Sequence, residues 1–203
     1  MPPKPKFTRE EITAAALDLV AEKGIKALTS RELGTVLGSS ARPIFTVFKS
    51  MDEVLAEVKS AAMSRYEDYA KKAEEYTPIF KQLGLQMVLF ATEQPKLFQL
   101  LFMSESTESV SFDDFFDYLG DTADMCIDAI QHDYGLDREN ALLLFHDSWI
   151  YTYGVCVLIS SKVCGFTEGE ISDMLSREFV ALLGLIKSGR ANSCTTTPKK
   201  AQD

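Results

Sequence analysis

Residues 29–53 read TSRELGTVLGSSARPIFTVFKSMDE, and the fold turns on how this stretch is punctuated. Thr29 with Glu32, and Ser50 with Glu53, each place a hydroxyl and a carboxylate three residues apart. That spacing is the capping box, which satisfies the free amides of a helix start. Between the two boxes, Gly38-Ser39-Ser40 gives a tight turn, because Gly tolerates positive φ and Ser40 can cap the next helix. Pro43 then falls in a first turn, where its missing N–H does little harm. In the short helix that follows, Ile44, Val47 and Phe48 share one face and Arg42, Thr46 and Lys49 the other. The spacing predicts helix, turn, helix, and then the start of a further helix at Ser50. One face packs and the other can enter a DNA groove, although a plain three-helix unit has the same punctuation.

Working outward, Thr8 to Glu11 has the same capping form, and Ile12, Ala16, Leu19 and Val20 recur at helical spacing until Gly24. Charge separates this head from the remainder. Residues 1–50 carry eight Lys or Arg against five acids, a net +3, which leaves −12 for residues 51–203 of the chain's −9. A basic head on an acidic body turns the head towards phosphate.

The segments TREEITAAALDLVAEKGIKALTSREL, LGSSARPIFTVF and KSMDEVLAEV together resemble the N-terminal domain of TetR/AcrR-type bacterial transcriptional regulators. The resemblance implies an all-α homodimer with a three-helix helix-turn-helix head and a larger helical-bundle body that binds a small molecule and dimerises. Carried onto this sequence, it puts Thr29, Ser30, Ser40 and Lys49 at phosphates, with Ala41, Arg42 and Thr46 facing base edges. Phe45 is left to pack on a sugar or a thymine methyl. Arg42 is the strongest candidate for direct readout, because a guanidinium takes guanine O6 and N7 together. Phe45, Val47 and Ala41 stand where many members carry Tyr, His and Lys. Lys4, Lys6 and Arg9 lie in a leader punctuated by proline, where they either add electrostatic attraction or stay solvated.

The body divides at clear punctuation. A helix is expected from about Asp52 to Glu75, a rod of roughly 36 Å at 1.5 Å per residue. Pro78 and Pro95 each open a helix, and Ser111 caps one bearing Phe112, Phe115, Phe116, Leu119, Ala123, Cys126, Ile127 and Ile130 before Gly135. Asp137 caps a long apolar helix ending near Gly165, and Thr167 with Glu170 opens a last one from Ile171 to Ile186. The domains expected are thus a head over 1–50, a body over 51–187 and a disordered tail over 188–203. The two C-terminal helices form the expected dimer seam, although the same stripes also suit a core within one chain. The longest uncharged run, Ser148 to Ser161, is 14 residues, short of the roughly 20 that a membrane span needs. No membrane is expected, and without an apolar leader after MPPKPKF the expected location is cytoplasmic.

Trp149 to Gly154, WIYTYG, resembles the Trp-x-x-x-His-Gly pattern of one TetR subgroup, with Tyr153 in place of His. Gly154 inside a helix points to close approach of another helix or a ligand. Trp149 and Tyr153, with Phe98, Phe102, Met103 and Met125, form a candidate ligand set, although aromatics and Met at this spacing more often pack a core. Asp114, Asp117, Asp121, Asp124 and Asp128 read as a solvated face rather than a cation site. The four cysteines form no CxxC pair, and no paired acid and base, metal spacing or phosphate loop is present. No cofactor and no catalysis are expected. The function expected is a DNA-binding transcriptional regulator, a repressor released from its operator by a small-molecule effector. The alternatives are a DNA-binding scaffold whose body docks a protein, and a helical enzyme or lipid carrier with a coincidental head.

Overall fold

The computed structural model describes residues 5–104, 111, 116 and 121–189. Among them are eight α-helices and no strand. Helix α1 (Arg9–Lys23) starts where expected. Thr8 Oγ1 accepts the Glu11 amide at 3.2 Å, and Glu11 returns the bond to the Thr8 amide at 2.8 Å. It stops at Gly24, whose φ of 83° excludes most side chains. Helix α2 (Ser30–Val36) is capped by Thr29 alone, because the Thr29 amide turns back to the Ala27 carbonyl instead of meeting Glu32.

The helix expected after the turn is a single 3₁₀ turn, Ile44–Thr46. Ser40 makes no capping bond to it. Bonds from Ile44 to Ala41, Thr46 to Pro43 and Val47 to Ile44 tighten the backbone, and the Thr46 hydroxyl donates to the Pro43 carbonyl at 2.6 Å. Proline at the start and β-branched residues at three of the next four positions disfavour the wider α turn. The side chains still divide as two faces, with Ile44 and Phe48 buried and Arg42, Phe45, Thr46 and Lys49 exposed.

Helix α3 (Met51–Lys71) begins at Ser50, and its expected last residues, Lys72–Glu75, wind as a 3₁₀ turn. Its first turns complete the head, where Val54 and Val58 join Ile12, Val20, Leu33, Ile44 and Phe48 in the core. Its later turns enter the body through Tyr66 and Ala70. Helices α4 (Ile79–Glu93), α5 (Pro95–Phe102), α6 (Asp121–Tyr134), α7 (Arg138–Ser160) and α8 (Glu168–Lys187) build the rest. Helix α4 is central, packing against α3, α5, α6, α7 and α8, while α5 also packs against α1.

Asp137 caps α7, which ends at Ser160, short of Gly165. The Thr167 and Glu170 box opens α8. Among the described residues α7 alone is long and apolar enough to cross a membrane, but here it packs against α4, α5, α6 and α8. Among the described residues nothing comes within 4 Å of a Cβ built on Gly154, so none of them makes the close approach expected there. The helix expected from Ser111 to Gly135 is described over Asp121–Tyr134, where Ala123, Cys126, Ile127 and Ile130 are buried as is Phe116, while Phe112, Phe115 and Leu119 and the tail beyond Gly189 lie outside the described residues.

Candidate nucleic-acid interface and body cavity

The turn expected to read DNA, the reading turn, depends on one close backbone approach. Gly34, in α2, lies beneath the turn, and a Cβ there would sit 2.9 Å from the Ser40 carbonyl carbon and 3.0 Å from the Ala41 nitrogen. Gly38, at φ 60°, then reverses the chain, and the Ser39 amide closes the turn on the Gly34 carbonyl at 2.8 Å. Neither neighbour is a flexible side-chain end, so Gly34→Ala must displace the turn. We expect a loss of about 1–3 kcal/mol in head stability, measured by urea unfolding, with weaker DNA binding. The sequence carried only a weak signal for this residue, a lone glycine inside a short helix.

On this turn the candidate contacts divide by exposure. Thr29, Ser40, Arg42, Phe45, Thr46 and Lys49 are exposed, and Ser30 and Ala41 are half-buried. Arg42 forms no ion pair among the described residues. Thr46 spends its hydroxyl proton on the Pro43 carbonyl, which leaves lone pairs to accept from a base amine. Phe45 shows 47% of its surface to solvent. Lys6, from the leader, donates to the Ser39 hydroxyl at 3.1 Å and so brings a cation beside the turn.

Arg9 is not in the leader and is not free for DNA. It opens α1, and its guanidinium meets Glu53 at 2.9 Å and Glu57 at 2.7 Å while covering the Phe48 ring at 4.3 Å. Glu53 also accepts the Lys49 amide at 2.6 Å. That backbone bond first, and Arg9 second, hold its carboxyl below the usual carboxylate range. The end of the reading turn is thereby tied to α1 and α3. Lys4 lies outside the described residues.

The body holds a cavity of about 230 Å³ between α3, α4, α6, α7 and α8. Its walls include Tyr66, Phe80, Leu83, Met87, Phe145, Trp149, Leu175 and Phe179, with Ser148, Thr152 and Glu178 as polar points. Ser148 donates to Glu178 across 3.4 Å. Burial raises the Glu178 carboxyl above its ordinary range, Ser148 opposes the shift, and the charge of Asp147 adds to it. Burial alone pushes the Cys126 thiol in the wall up to about 12, so it stays protonated and unreactive.

Of the six residues singled out as a ligand set, Trp149 alone lines this cavity. Phe98 packs against Phe102 and Tyr153, with centroids 5.1 and 6.0 Å apart, behind the wall residues Tyr66 and Trp149 that Phe102 and Tyr153 respectively contact, and the Tyr153 hydroxyl donates to the Phe102 carbonyl. Their faces are consumed because α5 is wedged against α1, α3 and α7. Met103 is exposed, its sulfur accepting from Ser160 at 3.7 Å. Met125 borders a shallow groove with Asp124, Asp128, His132 and Asp133. Asp124 and Asp128 are exposed, and no metal-binding group occurs among the described residues. Asp114 and Asp117, like the Asp121 side chain, lie outside them.

Among curated proteins none matches the chain. The fold is similar to that of SmeT, the repressor of the Stenotrophomonas maltophilia multidrug efflux pump SmeDEF, at 18% identity over 98% of each chain and a TM-score of 0.50. Residues 12–58, which run from α1 through the reading turn into α3, match the bacterial regulatory proteins of the tetR family.

Proposed function

We propose that the chain is a homodimeric, DNA-binding transcriptional regulator, a repressor that leaves a near-palindromic operator when a small molecule occupies the body. The observation that carries this reading is the exposed set Arg42, Phe45, Thr46 and Lys49 on a turn held by Gly34, within the segment that matches the tetR family. Thr29, Ser30 and Ser40 flank it as phosphate contacts, and Ala41 leaves room for the backbone to approach. Residues 1–50 act as head, 51–187 as body and 188–203 as tail. The Trp149, Tyr153 and Gly154 pattern supports membership of the subgroup named above, with a tyrosine hydroxyl in place of the imidazole. Such a regulator works in the cytoplasm without a cofactor or a catalytic step. The alternative, a scaffold whose body docks a protein, has no observation that favours it over a body containing a cavity.

Two faces support the dimer. Ile150, Tyr151 and Gly154 lie exposed along one side of α7, and Val180, Gly184 and Leu185 along one side of α8. Among the described residues neither Gly154 nor Gly184 has a neighbour within 4 Å of a built Cβ, which supports a second copy packing there. The pairing would set two reading turns one helical repeat apart, about 34–36 Å. Helix α3 connects the parts, since Tyr66 lines the cavity while Glu53 and Glu57 on the same helix hold Arg9 in the head. A molecule that binds one tilt of α3 better than another shifts the spacing of the heads only by that difference in affinity.

The test is DNA retention at low salt together with oligomeric state. Wild-type protein is expected to be dimeric by light scattering, with operator affinity falling steeply between about 50 and 200 mM salt. Val180→Asp puts a charge on the seam and is expected to give monomers that bind about 10²-fold more weakly. No DNA retention at low salt, or full affinity from a monomer, overturns the reading.

A further inference from the structure

Of the described residues that line the body cavity, Glu178 is the single carboxylate and Lys81 the single base. They form no ion pair with each other or, for Glu178, with any described residue. Lys81 is exposed, and a long stem lets its ammonium remain in water. Glu178 is half-buried, with a stretched 3.4 Å bond from Ser148 as its one hydrogen bond. A carboxylate withdrawn from water among rings is costly until a positive partner arrives. In the same lining the Phe179 ring contacts those of Phe80 and Tyr134, with centroids 5.6 and 4.9 Å apart, and the negative face of an aromatic wall favours the same sign of ligand. Asp147, which raises the Glu178 carboxyl further, adds negative potential from the neighbouring turn of α7.

We propose that the cavity binds an organic cation, a compact ring-bearing molecule whose amine or pyridinium charge meets the Glu178 carboxylate between aromatic walls. This rests on the reading of the body as the sensor, and names the chemistry it senses. The volume of about 230 Å³ lies below the roughly 300–1,000 Å³ of drug-sized sites, so one or two rings fill it and a longer molecule extends through the mouth past Lys81. Ser148 and Thr152 orient the polar end. Thr152 already donates to the Ser148 carbonyl at 2.8 Å, which holds that side of the wall in place.

Three probes of one shape and different charge test it by equilibrium dialysis: cationic 4-[4-(dimethylamino)styryl]-N-methylpyridinium, neutral 4-(dimethylamino)stilbene and anionic 4-[4-(dimethylamino)styryl]benzoate. The full-length protein is expected to bind the cation about 10- to 100-fold more tightly than the neutral probe, and the anion most weakly. Glu178→Gln is expected to bring the cation down to the neutral probe's affinity and leave the neutral probe unchanged. Lys81→Gln is expected to keep the preference for the cation. The proposal falls if the anion binds best, if Glu178→Gln leaves the ratio of cation to neutral unchanged, or if no probe binds. Operator affinity of the same samples separates these failures from failure of the DNA-binding reading, which it tests without any probe.

Discussion

Phe48→Ala is expected to lower the stability of the head by about 3–5 kcal/mol and to abolish specific DNA binding with it. The ring is 1% exposed and sits at the end of the reading turn, where its amide closes on the Ile44 carbonyl at 2.9 Å. It also serves as the platform for Arg9, 4.3 Å above it, whose pairs with Glu53 and Glu57 join α1 to α3. Truncation therefore opens a void and loosens the guanidinium that orders three segments. The neighbouring Phe45 provides the contrast, since with 47% of its surface exposed its loss should change stability by no more than about 0.5 kcal/mol. Urea unfolding of the two variants, followed with operator affinity, checks both statements. A Phe48→Ala loss under about 1 kcal/mol would mean that the turn is held by something other than this packing.

Arg42→Ala is expected to cost about 1–3 kcal/mol of operator affinity in each half-site. Independent half-sites add, so a dimer on a full operator loses roughly 2–6 kcal/mol. Folding should not change, because Arg42 is exposed and outside every ion pair among the described residues. Arg42→Lys separates charge from geometry. The ammonium keeps the salt dependence but lacks the planar fork that takes guanine O6 and N7 together. The expected result is retained non-specific binding with relaxed preference at one position of each half-site. Equal weakening on all sequences would reduce Arg42 to a phosphate contact.

Much of the fold was legible because helix starts are local chemistry. Thr8, Thr29, Ser50 and Thr167 each cap the helix that their spacing with a glutamate three positions on implied, and Asp137 caps α7 as expected. The 3₁₀ turn at Ile44–Thr46 was not legible, since alternation of buried and exposed residues is nearly the same for one turn of either helix. Arg9 looked like part of a basic leader, because its acidic partners lie 44 and 48 residues away. The cavity was hidden for the same reason. Trp149 was found, but Phe98 and Phe102 carry the same apolar signal and are used up by packing on α5. Glu178 reads as an ordinary acid on an amphipathic helix until α7 brings Ser148 opposite it. Gly34 is meaningful only once the backbone of Ser40 lies 2.9 Å away.

The central claim is that two copies of this head read a symmetric DNA site. Genomic fragments retained by the purified full-length protein at moderate salt, sequenced and compared with those retained by Arg42→Ala, test it most directly. Wild-type protein is expected to enrich one near-palindromic motif whose half-sites lie about one helical turn apart, 10–10.5 base pairs or a multiple of it. The variant should lose the preference at a symmetric pair of positions. Retention of fragments with no shared motif, or a motif that Arg42→Ala leaves unchanged, would contradict the account.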